Sequence, residues 1–287
     1  MTQPILIAGA TGTNGRELVG RLAARSIPIR LLVRDPAKAE ALRGPTVELV
    51  RGDLADRGSL DRAMDGVRTA YVVTGIMPNT VELFGNFFQA AGRAGVSHVV
   101  KFSGLGADVN SPSTVIRQHG EADQLLIGSG LNYTILRPNS FHQNMLWMAS
   151  SIRADGRFYM PMGEARQSTI DVRDIADVTV KVLTEAGHAG RIYDLTGPES
   201  LSFHEVADRL SAVVGRTVTY VPISVDAAEQ AMRANGMPEW NARTLAEIQS
   251  LFASGAYADV DPTTAELLGR PATRFAQFAA DHAEQFR

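Results

Sequence analysis

The chain has 287 residues, a formal net charge of −3 and no cysteine. Without cysteine there are no disulfides, thiolate metal sites or cysteine nucleophile. Lys and Arg are scattered through the chain, so it offers no basic field for direct nucleic-acid binding, and no metal site of any kind is expected. Hydrophobic residues at 45% and charged residues at 21% give the balance of a globular protein with a packed core. No apolar stretch approaches the roughly 20 residues that cross a bilayer. The chain opens directly on the apolar run Ile5-Leu6-Ile7-Ala8, with no basic leader or small-residue cleavage site. These features lead us to expect a soluble, cytoplasmic protein with no membrane partner.

Short apolar runs at residues 5–8, 29–33, 47–50, 69–73, 98–102 and 133–136 alternate with segments of helical period, such as Phe84, Phe87, Phe88 and Ala91. This is the pattern of a parallel sheet wrapped by helices, with six strands and five intervening helices. After Arg137-Pro138 the pattern becomes irregular and rich in Met and aromatic residues. A strand-helix passage follows at 168–183, and a run at 192–195 adds a strand to the main sheet. From 202 onward helices are expected at 203–214, 225–235, 242–252, 263–268 and 273–282, with one short strand at 218–221. Single cores stop growing near 250 to 300 residues, so one large α/β domain with a smaller lobe fits the length. The expected fold is α/β, a Rossmann doubly wound parallel sheet over residues 1–140, to which 169–196 return, with a smaller, mostly helical C-terminal substrate lobe over 141–287. Ligands of such sheets bind beyond the carboxyl ends of the strands.

Gly9-Ala10-Thr11-Gly12-Thr13-Asn14-Gly15 follows the first strand directly and opens a helix expected over 16–25. Glycines placed there make the tight turn, let backbone approach a diphosphate and let helix pack on strand. The exposed amides and the positive helix end then hold the diphosphate of a nicotinamide dinucleotide. The second strand ends Val33-Arg34-Asp35. Arg34 comes first and offers a planar fork to a 2′-phosphate, while strand alternation turns Asp35 to the other face. Lys38 assists, so NADP(H) is favoured over NAD(H). Asp53 and Leu54, after the third strand, flank the adenine, although Asp53 serves equally well as a local turn residue. Thr74 and Gly75, after the fourth strand, lie where backbone runs past the cofactor ribose, or the glycine simply permits the turn.

Taken together, GATGTNG at 9–15, LLVRDP at 31–36, RGDLAD at 51–56, VVKFSG at 99–104, HGEADQLLIGSGLNYTILRPNSFHQN at 119–144, STIDVRDIADV at 168–178 and YDLTGPESLSFHEVA at 193–207 resemble the NmrA-like branch of the atypical short-chain dehydrogenase/reductases. That branch includes bacterial NAD(P)H:quinone oxidoreductases and azoreductase-like proteins. The resemblance implies a cofactor domain with a small substrate lobe, and either NAD(P)H-dependent reduction or cofactor sensing.

Ordinary short-chain dehydrogenases carry a Tyr-x-x-x-Lys proton donor. On the matching helix the resemblance places Val115 at the tyrosine position and His119 at the lysine position, so the usual acid is missing. Reducing a simple ketone needs an acid worth roughly 10² to 10⁴ in rate. A quinone instead accepts hydride to give a delocalised phenolate, and direct transfer from a positioned nicotinamide suffices. The expected activity is therefore that of an NAD(P)H-dependent reductase acting on a small aromatic, quinone-like or other conjugated acceptor.

The catalytic candidates are His119, which protonates the nascent hydroquinone oxygen, bonds the nicotinamide ribose or merely packs on its helix face, and Ser103, which resembles the serine that orients substrate in relatives or is a strand-end turn residue. Lys101 lies nearby in the chain with its direction undetermined. Pro138, Asn139 and Phe141 leave the sixth strand toward the cofactor, and Asn144, Trp147 and Tyr159 are the substrate candidates. The Met and aromatic side chains around them, with Phe158, Met160 and Met162, suit a flat ring. Asp171 before the helix of 175–183 is a capping residue without a catalytic role. The alternative is a non-catalytic NADP(H) redox-sensing regulatory protein of the NmrA type, and either a monomer or a homodimer is expected.

Overall fold

A computed structural model of the chain describes residues 3–287. The first half alternates β1 (Ile5–Ala8), α1 (Thr13–Ala24), β2 (Ile29–Val33), β3 (Val47–Arg51), α2 (Arg57–Met64), β4 (Thr69–Val72), α3 (Thr80–Arg93), β5 (His98–Phe102), α4 (Thr114–Ile127) and β6 (Tyr133–Pro138). Then come α5 (Ala149–Asp155), β7 (Arg157–Met160), β8 (Arg166–Gln167), α6 (Val172–Thr184), β9 (Arg191–Leu195), β10 (Leu201–Ser202), α7 (Phe203–Val214), β11 (Thr219–Pro222), α8 (Val225–Ala234), α9 (Glu239–Ala253), α10 (Thr263–Leu268), α11 (Phe275–Asp281) and α12 (Ala283–Phe286). The main sheet has seven strands in the order β3-β2-β1-β4-β5-β6-β9, which reverses direction of winding at β1, as in a Rossmann α/β fold.

Three features differ from the sequence expectation. The connection between β2 and β3 carries a 3-10 segment, Pro36–Leu42, in place of an α-helix, with Asp35 as its cap and Pro36 at its first position. The glycine-rich turn is shorter than expected, with α1 beginning at Thr13. The stretch read as irregular after β6 contains a 3-10 segment, His142–Met148, then α5 and β7; β7 pairs in parallel with β11, with Phe158 opposite Tyr220.

Two compact units are present. The first comprises residues 1–110, 116–137 and 175–193. Its core sets Leu6 and Ala8, Ala70 and Val72, Val99 and Ile135 against α2, α3 and α4 through Leu60, Met64, Phe84, Phe87, Ala122 and Leu126. The intervening Ile5, Ile7, Ile29 and Leu31 are equally buried, so both sheet faces are covered and the strands read as continuous apolar runs. Arg21 of α1 pairs with Asp177 of α6 at 2.7 Å.

The second unit comprises residues 111–115, 138–174 and 194–287. Its core gathers Met145, Ile152, Phe158, Met162, Phe203, Leu210, Tyr220, Phe275, Phe278 and Phe286. Ser202 and Glu205 form a reciprocal capping box that starts α7. Among the described residues no helix is long and apolar enough to cross a membrane.

Candidate functional site

In the first unit, Gly9 leaves β1 at φ +90°, and a Cβ there would lie 2.4 Å from Val73 Cγ1 and 2.6 Å from its carbonyl oxygen. Only glycine turns the chain so tightly against the neighbouring strand. A Cβ on Gly15 would lie 2.2 Å from the Gly9 carbonyl oxygen, so α1 packs directly on the turn. Gly12 caps α1 in extended backbone without a side-chain hydrogen bond, and no acidic residue stands in the first helical turn. The first helical bond runs from Arg16 N–H to the Gly12 carbonyl at 2.9 Å. The amides of Thr13, Asn14 and Gly15 precede it and face out of the helix end, where the dipole favours negative charge. Thr11, Gly12 and Thr13 are exposed, leaving the approach open.

Three side-chain atoms along this carboxyl edge of the sheet are shut off from solvent with no hydrogen-bond partner among the described residues. They are Asn14 Oδ1 beside the glycine turn, Thr74 Oγ1 just past β4, and His119 Nδ1 on α4. Each such atom costs about 1–3 kcal/mol if left unpaired. Orphaned polar atoms and an open diphosphate cradle on one edge fit a dinucleotide whose amide and hydroxyl groups complete the bonding.

Around this edge the candidates take distinct roles. Arg34 is exposed beyond β2, whereas the Asp35 carboxylate accepts from Ala37 N–H at 3.1 Å and is held as the cap of the 3-10 segment. Lys38 is exposed on that segment. Asp53 accepts from Ala55 N–H at 2.9 Å, the local turn role left open by sequence, and Leu54 packs against the first core. Gly75 is exposed, and its carbonyl accepts from the Thr80 hydroxyl at 3.3 Å, which closes the loop.

Strand alternation puts Lys101 and Ser103 on the same face as Val99, toward α4. There the Lys101 ammonium donates to Asp123 Oδ1 at 2.7 Å and the Ser103 hydroxyl donates to the same oxygen at 2.8 Å. Arg137, on the matching face of β6, donates to Asp123 Oδ2 at 2.9 Å. Lys101 and Asp123 are fully buried and Ser103 nearly so, so one carboxylate faces two cations in a low-dielectric setting. Burial pushes the Lys101 ammonium down to about 8 against the opposing pull of Asp123, with Arg137 pushing the same way as burial. The Phe84 ring covers the ammonium, 4.5 Å from centroid to Nζ.

His119 lies beside this group, its ring 3.3 Å from where a Cβ on Gly104 would stand. Burial, then the charges of Lys101 and Arg137, hold its imidazole well below the usual histidine range, so it is neutral. Val115, one turn earlier on α4, is buried. Sequence reasoning named His119 and Ser103 but gave Asp123 and Arg137 no role. The available signal was a lysine inside an apolar strand two residues before a serine, with an acid on the next helix.

The remaining candidates belong to the second unit. Pro138 is buried at the end of β6. The Asn139 amide donates to Ser168 Oγ at 3.0 Å and to the Tyr257 carbonyl at 3.1 Å, and its oxygen accepts from Ser140 N–H at 2.7 Å. That side chain ties loops of the second unit together. Phe141 bridges to Ile170, and Asn144 donates to Ser140 Oγ at 3.0 Å. Trp147 is 70% exposed and Tyr159 40%, whereas Phe158 at 0% and Met162 at 1% lie in the core. The expectation that Phe158 and Met162 present faces to a flat ring is thereby corrected. The period of two along β7 turns Phe158 inward and Tyr159 outward. Asp171 accepts from Arg173 N–H at 2.8 Å as α6 begins, in keeping with a capping role.

The profile of the NmrA-like family matches residues 1–269. The chain is 43% identical over 282 residues to an NAD(P)H azoreductase of Xenophilus azovorans, covering 98% of this chain and 99% of the relative. It is 38% identical over 283 residues to a (4-alkanoyl-5-oxo-2,5-dihydrofuran-3-yl)methyl phosphate reductase of Streptomyces griseus, covering 98% and 99%. Among solved structures, an NADPH-dependent quinone oxidoreductase of Escherichia coli complexed with NADPH is similar at a TM-score of 0.89 and 30% identity, over 96% of this chain and 99% of that one.

Proposed function

Because the chain belongs to the NmrA-like family, we propose that it is a nicotinamide-dependent reductase, using NADPH in preference to NADH, that acts on a quinone, azo compound or other conjugated small molecule. One observation carries this reading: the open helix end after Gly12, lined by the orphaned Asn14, Thr74 and His119 atoms along the same sheet edge. The names of the relatives support it, since an azo compound, an oxo-dihydrofuran and a quinone are all conjugated acceptors.

The bound dihydronicotinamide supplies a hydride. The amides of residues 13–15 hold its diphosphate, and Asn14 and Thr74 give their buried oxygens to its ribose or amide groups. The exposed Arg34 takes the 2′-phosphate, because Asp35 is engaged as a cap and leaves that position to the arginine. A neutral His119 bonds the ribose with one nitrogen donating and the other accepting. Its depressed pKa removes it as the cationic acid, which narrows the two roles its position allowed. Ser103, the residue after β5, orients the acceptor through its hydroxyl.

Stopped-flow mixing of the NADPH-loaded chain with quinones and azo dyes tests the proposal. The expected result is loss of the reduced-nicotinamide absorbance with at least one acceptor. No loss with any of them refutes the reductase; unequal affinities for oxidised and reduced cofactor without turnover would then favour the redox sensor, since a ligand shifts a state only through differential binding.

A further inference from the structure

We propose that the acid missing from α4 is replaced by a relay running from Lys101 across Asp123 to the Ser103 hydroxyl, and that it fits this protein to acceptors that leave a strongly basic anion, azo nitrogen above all. The inference rests on the reductase reading and deepens it.

The geometry is specific. Lys101 Nζ and Ser103 Oγ sit 2.7 and 2.8 Å from one and the same carboxylate oxygen, while the other oxygen is held by Arg137 at 2.9 Å. With a cation on each of its oxygens, Asp123 passes a proton without retaining it. Lys101 can release one: its ammonium is buried and titrates near about 8. The groups facing it are Asp123 and the neutral His119 from α4, Arg137 from β6 and the Phe84 ring from α3. Its partner across β4 is the apolar Val72. Two cations share this one carboxylate, which lowers the cost of losing a proton from Lys101.

With hydride from the reduced nicotinamide added to one azo nitrogen, the N=N π bond breaks and its electron pair becomes an anion on the other nitrogen. The Ser103 hydroxyl turns from Asp123 toward that nitrogen and gives up its proton, forming N–H as the O–H bond breaks. The Ser103 O–H bond re-forms with a proton from Lys101 passed over Asp123 Oδ1, leaving a neutral Lys101 amine, an unchanged carboxylate and a hydrazo product. A quinone needs this far less, because its phenolate is delocalised and weakly basic. Lys101 acts through Ser103 and touches no substrate itself.

Lys101→Met, Lys101→Arg and Ser103→Ala, each checked for folding by circular dichroism, are assayed with NADPH on one azo dye and one quinone across the alkaline range. In Lys101→Met, kcat on the azo dye should fall about 10²-fold while kcat on the quinone changes less than about threefold. Wild-type azo reduction should decline as pH rises through about 8. Lys101→Arg should be slow and flat there, because arginine releases no proton. Equal losses on the two acceptors, a wild-type azo profile without that decline, or quinone turnover with no azo turnover overturns the relay. If Lys101→Met does not fold, the wild-type profile decides, together with Ser103→Ala, which should slow both acceptors and the azo dye at least about tenfold more than the quinone. Absence of nicotinamide oxidation with both acceptors refutes the reductase reading itself, whereas quinone turnover without the azo-specific effect refutes the relay alone.

Discussion

Lys101 and Asp123 form a 2.7 Å ion pair in which neither side chain reaches solvent. A buried pair is costly to break from one side, because the remaining charge keeps its desolvation penalty. Asp123→Asn strips the carboxylate from both Lys101 and Arg137, and it should lower stability to urea by about 3 kcal/mol. Lys101→Met leaves Asp123 paired with Arg137 and should cost clearly less. Equal losses in the two variants would show that the pair does not carry the charge balance described.

The glycine turn separates a packing role from a binding role. Gly15→Ala drives a methyl into the Gly9 carbonyl, 2.2 Å away, and should cost about 1–3 kcal/mol in thermal unfolding. A Cβ on Gly12 meets only the Gly9 carbonyl oxygen, at 3.6 Å. Gly12→Ala should therefore melt like the wild type while binding NADPH more weakly, since its methyl stands where the diphosphate approaches. Parallel calorimetric melts and NADPH titrations of the two variants separate these effects.

Cofactor choice rests on Arg34. Arg34→Ala should weaken NADPH binding by about 10- to 100-fold, the worth of a charge-assisted hydrogen bond. NADH, which lacks the 2′-phosphate, should bind as before. Equal weakening of both cofactors would move the phosphate contact elsewhere.

Histidine protonation sets the acid side of stability. His98, His119, His142 and His188 are all held below the ordinary value of 6.5, chiefly by burial. The folded chain keeps them neutral while the unfolded chain takes up protons near that value. Their contribution is therefore full above it and is lost as pH falls through the depressed folded values. Asp171, Glu205, Glu247 and Asp281 are also depressed, but their contributions are lost only below the carboxylate range. Urea midpoints should hold near about pH 7 and decline steadily toward about 5. A flat midpoint over that interval would contradict the burial of these imidazoles.

Much of the fold was legible because its signals are local. Unbroken apolar runs such as Ile5–Ala8 mark strands buried on both faces, and glycines between strand and helix mark a close backbone approach. The tail helices Phe203–Val214 and Thr263–Leu268 were bounded to the residue, helped in the first by the Ser202 and Glu205 cap. Elements set by tertiary pairing were missed. β7 has four residues and exists through its register with β11, 62 residues later in the chain, which no local period encodes. The site divided in the same way. Gly9, Gly12 and Gly15 follow from spacing, but the use of one Asp123 oxygen by Lys101 and Ser103 needs the angle of α4 against β5. Asn139 shows the converse: its position suggested a ligand contact, and its amide is engaged by Ser168, Tyr257 and Ser140.

The central claim is that α1 receives a dinucleotide at its amino end, and calorimetric titration of NADPH into the purified chain tests it most directly. A saturating isotherm with one site per chain, weakened in Gly12→Ala, is the predicted result. A flat titration on protein whose cooperative melt shows it to be folded would contradict it.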